Sequence, residues 1–179
     1  MVGLGNPGPE YEGTRHNVGF EVAKLLCSRT GARPLETTRT YACWRTDELT
    51  VLTPLTYMNL SGDAIVEYDE RHGLEVEDVL VVVDDVYLPL GAVRLRSRGG
   101  DGGHNGLTSI ELSLGTDEYA RLRVGVGRGE DELKDHVLSG FAPEEKELLK
   151  TALDAACEAS LVWAKEGVIP AMNRFNTRR

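Results

Sequence analysis

Residues Val79 to Leu107 read VLVVVDDVYLPLGAVRLRSRGGDGGHNGL, and the fold is decided in this stretch. Val79 to Val83 is a short run of β-branched residues and Leu, the signature of a buried strand rather than a helix. It ends in Asp84 and Asp85, so two carboxylates stand at a strand's C-terminal edge, where ligands of α/β sheets collect. Pro89 and Gly91 punctuate a turn, after which Val93, Leu95 and Ser97 alternate with Arg94, Arg96 and Arg98. A strand of period two would hold the three guanidinium groups on one face. The segment closes on Gly99-Gly100-Asp101-Gly102-Gly103-His104-Asn105-Gly106, a loop whose glycines allow close approach to another molecule. Carboxylates, arginines and a Gly-rich loop in one continuous segment read as a binding site.

The flanking sequence predicts alternating elements. Met1 to Leu4 fits the start of a strand. Gly3-Leu4-Gly5-Asn6-Pro7-Gly8 matches GxGxxG in form, but a Pro-rich turn stands where a dinucleotide-binding helix should open, so that reading is set aside. Asn17 is a candidate N-cap, Val18, Val22, Leu25 and Leu26 give a helical stripe, and Gly31 ends it. Thr38 to Thr46 and Leu49 to Thr53 form a hairpin turning at Asp47-Glu48, ended by Pro54. Leu55 to Gly62 is a polar-aromatic loop, followed by a helix to about His72. Leu107, Ile110 and Leu114 stripe a short helix closed by Gly115. Leu122, Val124 and Val126 alternate with Arg121 and Arg123 in a further strand. Pro143-Glu144-Glu145 opens a long helix with Ala152, Ala155, Ala156, Ala159 and Trp163 on its inner face, and a last segment runs from Pro170 to Asn176 ahead of Arg178-Arg179. The expectation is one domain over residues 1–179, an α/β fold with a twisted mixed β-sheet flanked by helices.

Composition narrows the function. With 179 residues and a net charge of −9, the chain is long enough for a core and too acidic to coat nucleic acid or anionic membrane indiscriminately. Cys27, Cys43 and Cys157 lack CxxC spacing, which argues for reduced thiols rather than disulfides or zinc. No basic-then-apolar leader and no apolar run of membrane-spanning length are present, so a cytoplasmic protein without a membrane partner is expected. Taken alone, His16 beside a helix start reads as structural, and Asn59 as a helix cap. His104 either lines a cleft or braces the Gly-rich loop, and bracing is favoured. No GxSxG elbow occurs, and Ser61 and Ser109 read as caps or solvent-facing residues. His16, His72, His104 and His136 are scattered along the chain, so no metal site is expected.

Three motifs, GLGNPGPEYEGTRHNVGF from Gly3, PLTYMNLSG from Pro54 and VVVDDVYLPLGAVRLRSRGGDGGHNGL from Val81, resemble in order and spacing the bacterial peptidyl-tRNA hydrolase family. The resemblance reaches the C-terminal Asn-Arg-Phe. It implies a monomeric, cofactor-free α/β enzyme acting on a peptide esterified to the 3′ end of tRNA. Carried over by motif, His16 and Asp84 are the catalytic pair, and Asn6, Asn59 and Asn105, with Tyr11 and Tyr57, bind substrate. Arg94, Arg96 and Arg123 match positions that grip tRNA phosphate. Tyr87 stands where family members often have an acidic residue or Asn, and Val83 where some carry His. Ester hydrolysis needs a water made nucleophilic near neutral pH, which suits His, and a carboxylate partner fixes its tautomer. The residues leave open which Asn would hold an oxyanion. The alternative is a non-catalytic RNA-binding protein on the same fold.

Overall fold

A buried apolar run on β5 (Leu80–Asp85) lies beside the central strand, β1, of a seven-stranded sheet ordered β2-β3-β4-β1-β5-β7-β6. The computed structural model describes residues 1–129 and 132–176, so Arg178 and Arg179 lie outside the described residues. β1 (Val2–Gly3), β4 (Thr50–Pro54), β5 and β7 (Ala120–Gly125) run parallel. The flanking strands β3 (Tyr41–Arg45), β2 (Arg33–Thr37) and β6 (Val93–Arg96) are antiparallel to their neighbours.

Alternation along the strands sends side chains into two cores. On one face, Leu80, Val82, Leu122 and Val124 pack under α1 (Val18–Thr30), α5 (Lys146–Glu166) and α6 (Val168–Phe175). On the other, Val81 and Val83 pack under α2 (Ser61–His72) and α3 (Asn105–Leu114). The remaining helix, α4 (Leu133–Leu138), touches the first core through Val137. β1 leads to α1 on the first face, whereas β4 leads to α2 on the second and β5 lies next to the strand that α3 serves. The connections diverge around the C-terminal ends of β1 and β5. A crevice opens at such a point in α/β sheets.

The expected helices, the β3–β4 hairpin and the strands at 80–85 and 120–125 are present. Several details differ, beginning with α4, which was not anticipated from the sequence. A strand at Arg33–Thr37 was not anticipated; it is an outer strand with a register shift between Pro34 and Glu36, where a residue lacking N–H is tolerated. β6 stops at Arg96, so Arg98 is not on the strand and pairs instead with Glu118 at the surface, 3.3 Å away. Asn17 precedes α1 without capping it, because its side chain is spent on Asn6. Asn59 does not cap α2; it lies in a one-turn 3-10 segment, Met58–Leu60.

Beyond α6, the Asn176 carboxamide accepts from the backbone N–H of Leu95 at 2.7 Å and donates to the Leu95 carbonyl at 3.1 Å. This fastens the C-terminal segment to the outer side of β6.

Candidate active site

The parallel strand ends deliver the site. The turn after β1 carries Asn6, the one after β4 carries Tyr57 and Asn59, and β5 itself ends in Asp84 and Asp85. Two close approaches bring the helix starts onto these ends. A Cβ on Gly19 would sit 2.4 Å from the backbone of Leu4, so the first turn of α1 lies directly against β1. A Cβ on Gly106 would sit 2.6 Å from Leu4 Cδ1 and Met58 Sδ, so α3 closes down in the same way. His16 and His104, each just before one of these helices, are thereby aimed at Asp84.

Both imidazoles reach one carboxylate oxygen. His16 Nδ1 is 2.8 Å and His104 Nε2 2.9 Å from Asp84 Oδ1. His104 Nδ1 also accepts from the backbone N–H groups of Gly106 and Leu107, at 3.2 and 3.4 Å. A nitrogen that accepts two N–H bonds carries no proton, so His104 Nε2 is the donor to Asp84. An ionised carboxylate only accepts, so His16 donates from Nδ1 and keeps Nε2 for the cleft. Burial pushes the Asp84 carboxyl up, but the two imidazoles outweigh it and hold Asp84 well below the usual carboxylate range. The expectation of scattered histidines is thus corrected: His16 and His104 meet on Asp84, with ligand-capable atoms within 4.8 Å of one another. His104 is also the true cap of α3, a role its position in the Gly-rich loop concealed.

Asn6 has a fixed orientation. Its Oδ1 accepts the backbone N–H of Met58 at 2.7 Å, so its NH₂ is the group turned elsewhere. Asn17 grips the Asn6 backbone from both sides, accepting from its N–H at 2.8 Å and donating to its carbonyl at 3.0 Å.

These groups line a cleft of about 800 Å³, walled by His16, Asn6, Asn59, Asn105 and Tyr57 and by Leu133, Lys134, Val137 and Leu138 of α4. Asn59 and Asn105 are exposed on its rim. Tyr57 is half exposed, and Tyr11 packs edge-on against it with ring centres 6.3 Å apart; Tyr11 is not itself among the lining residues. Tyr87 stands on the rim, its backbone N–H donating to Asp85 Oδ1 at 2.8 Å. Neither serine belongs here: Ser61 is buried and donates to the Met58 carbonyl, and Ser109 accepts the N–H of Gly62 in the first turn of α2, so of the expected capping or solvent-facing roles the hydroxyls take internal bonds.

Arg94 and Arg123 are direct partners across β6 and β7, as are Arg96 and Arg121, so all four leave one face of the sheet. Their fates diverge. Arg96 is exposed and Arg94 half-buried, whereas Arg121 is buried and bonds the carbonyls of Gly99 and Asp117. Arg123 donates to the Gly100 and Asp101 carbonyls at 3.0 and 3.1 Å and lies 3.6 Å from Asp85. It borders the cleft while bracing the Gly-rich loop.

The family model described as peptidyl-tRNA hydrolase matches residues 1–179. The chain belongs to the peptidyl-tRNA hydrolase family. The peptidyl-tRNA hydrolase of Halalkalibacterium halodurans is 42% identical over 183 residues, covering 98% of this chain and 98% of the relative. That of Salinibacter ruber is also 42% identical, over 180 residues, covering 98% and 96%. A crystal structure of peptidyl-tRNA hydrolase from Acinetobacter baumannii superposes with a TM-score of 0.91 at 32% identity, covering 99% of this chain and 94% of that one. In this member of the peptidyl-tRNA hydrolase family, sequence reading passed over the buried Arg15, took Asn17 for a helix cap, and favoured a bracing role for His104 without its bond to Asp84. A polar side chain beside a motif residue was the only signal for each.

Proposed function

We propose that this protein hydrolyses the ester between a peptide and the 3′ end of tRNA, as a cytoplasmic monomer, with His16 and Asp84 as its catalytic pair. The observation that carries the reading is the His16–Asp84 hydrogen bond at 2.8 Å, set at the switch point of a chain with full-length family membership. His16 Nε2 takes a proton from water as the water attacks the ester carbonyl. Asp84 holds the ring in its tautomer and stabilises the imidazolium that forms, a type of catalysis contributing about 10²–10⁴-fold. The oriented NH₂ of Asn6 is the group suited to the developing oxyanion, since a donor held in place before reaction costs no reorganisation. The proton then returns from imidazolium to the 3′-oxygen leaving group, releasing tRNA and free peptide.

Asn59, Asn105 and Tyr57 on the rim, with Tyr11 behind Tyr57, suit the peptide's amide groups. Arg94 and Arg96 suit phosphate, with Arg123 between the two regions. No helix among the described residues is long and apolar enough to cross a membrane. The test is incubation with N-acetyl-aminoacyl-tRNA while following release of free tRNA. Release is expected; sound tRNA binding without release would favour the RNA-binding alternative.

A further inference from the structure

His16 sits in a 3-10 turn of three residues, Arg15–Asn17, too short to hold its own shape. Its neighbours hold it from opposite sides. Asn17 binds the Asn6 turn, and Arg15 reaches the other way with an almost fully enclosed side chain. Arg15 Nη1 donates to the Val126 carbonyl just past β7 at 2.8 Å, and Nη2 to Glu145 Oε2 at 2.7 Å. The guanidinium lies 4.5 Å from the centre of the Phe141 ring, and the Arg15 backbone N–H donates to the Ser139 carbonyl at 3.0 Å. Glu145 Oε2 also accepts the Ala142 N–H at 2.7 Å, so one carboxylate fastens both Arg15 and the segment following α4. Phe141, Ala142 and Glu145 form the chain between the α4 wall of the cleft and the start of α5.

We propose that Arg15, through its ion pair with Glu145, is a positioning residue for His16 that registers the imidazole against the wall formed by α4. The proposal rests on the hydrolase reading above. The charge is enclosed, held by a planar fork that a lysine cannot reproduce, and sits one residue from the base. Arg15 is not among the residues lining the cleft. Its effect travels through the turn, and a misplacement of about 1 Å at a reacting group can cost about 10²-fold in rate.

The test compares Arg15→Lys and Glu145→Gln with the parent protein. Glu145 is partly exposed and the Gln side chain is nearly isosteric, so that variant guards against misfolding, monitored by far-UV circular dichroism and thermal unfolding. Both variants should lose about 10- to 100-fold in kcat on N-acetyl-aminoacyl-tRNA with a much smaller rise in KM. In ¹⁵N-edited NMR, the His16 Nδ1–H signal should broaden through faster exchange while the His104 Nε2–H signal persists. Folded variants that keep both kcat and the His16 signal would overturn the proposal, as would losses of activity that merely track a fall in melting temperature. The NMR readout needs no turnover. A parent protein that fails to cleave the substrate therefore sinks the function without deciding this inference.

Discussion

The backbone N–H of Met58 donates to Asn6 Oδ1 at 2.7 Å, joining turns 52 residues apart and leaving the Asn6 NH₂ as the outward group. Asn6→Asp keeps the acceptor for Met58 and replaces the donor with a carboxylate oxygen. Its kcat should fall by about 10²–10³-fold, the worth of one oxyanion donor, with tRNA affinity little changed. Steady-state kinetics and a filter-binding measurement on the same preparation decide this; a near-wild-type kcat would move the oxyanion role to Asn59 or Asn105.

His16→Ala should abolish turnover while preserving tRNA binding, and Asp84→Asn should lower turnover less completely, because the imidazole remains but loses its tautomer control. No serine or cysteine borders the cleft among the described residues, and the proposed mechanism predicts direct attack by water. Hydroxylamine added during turnover should trap no peptidyl-enzyme. Detection of a covalent adduct by intact-mass spectrometry would refute the mechanism.

The arginines predict two different phenotypes. Arg94→Ala/Arg96→Ala should raise KM for full-length substrate and flatten the dependence of log affinity on log salt by about 0.7–0.9 per lost phosphate contact. The same variant should cleave a peptide esterified to adenosine alone at the normal rate. Arg123→Ala should impair both substrates, because Arg123 also braces the carbonyls of Gly100 and Asp101. Equal losses on both substrates for the double variant would place Arg94 and Arg96 in the fold rather than in binding.

Acid sensitivity should have a component remote from the cleft. Glu36 accepts from the Tyr41 hydroxyl at 2.5 Å, from Arg71 and from His72, and these donors hold its carboxyl near about 2, against an ordinary value of 4.5. A carboxyl lowered on folding contributes stability that is present above its unfolded pKa and is lost as pH falls through the folded one. Glu36→Gln should therefore destabilise at pH 6, with the gap from the parent narrowing between about pH 4.5 and 2. Urea unfolding at pH 6, 4 and 2.5 measures this; a constant gap would remove Glu36 from the acid response.

The strands at β5 and β7 and most helices were legible because each carries its own period: an apolar run, an alternation, or a stripe ended by glycine. β2 was not, since Arg33–Thr37 is an outer strand with a proline and no buried residue to mark it. Asn6, His16 and Asp84 were legible through motifs that mix rare residue types. His104, Asn17 and Arg15 were not, because their meaning lies in partners 20, 11 and 130 residues away. Local sequence identifies a polar side chain but not which strand end it will face.

The carboxamide of Asn176 on Leu95 has a consequence for what can join this sheet. An open outer strand is a template on which any extended polypeptide can add a further strand, and unprotected borders of this kind invite aggregation. Asn176 occupies the outward N–H and carbonyl in the middle of the four-residue β6. The opposite border, β2, is broken by its register shift beside Pro34. An enzyme whose proposed substrate trails an unfolded peptide thus has one flank blocked at Leu95 and the other interrupted beside Pro34, which disfavours strand addition at either border.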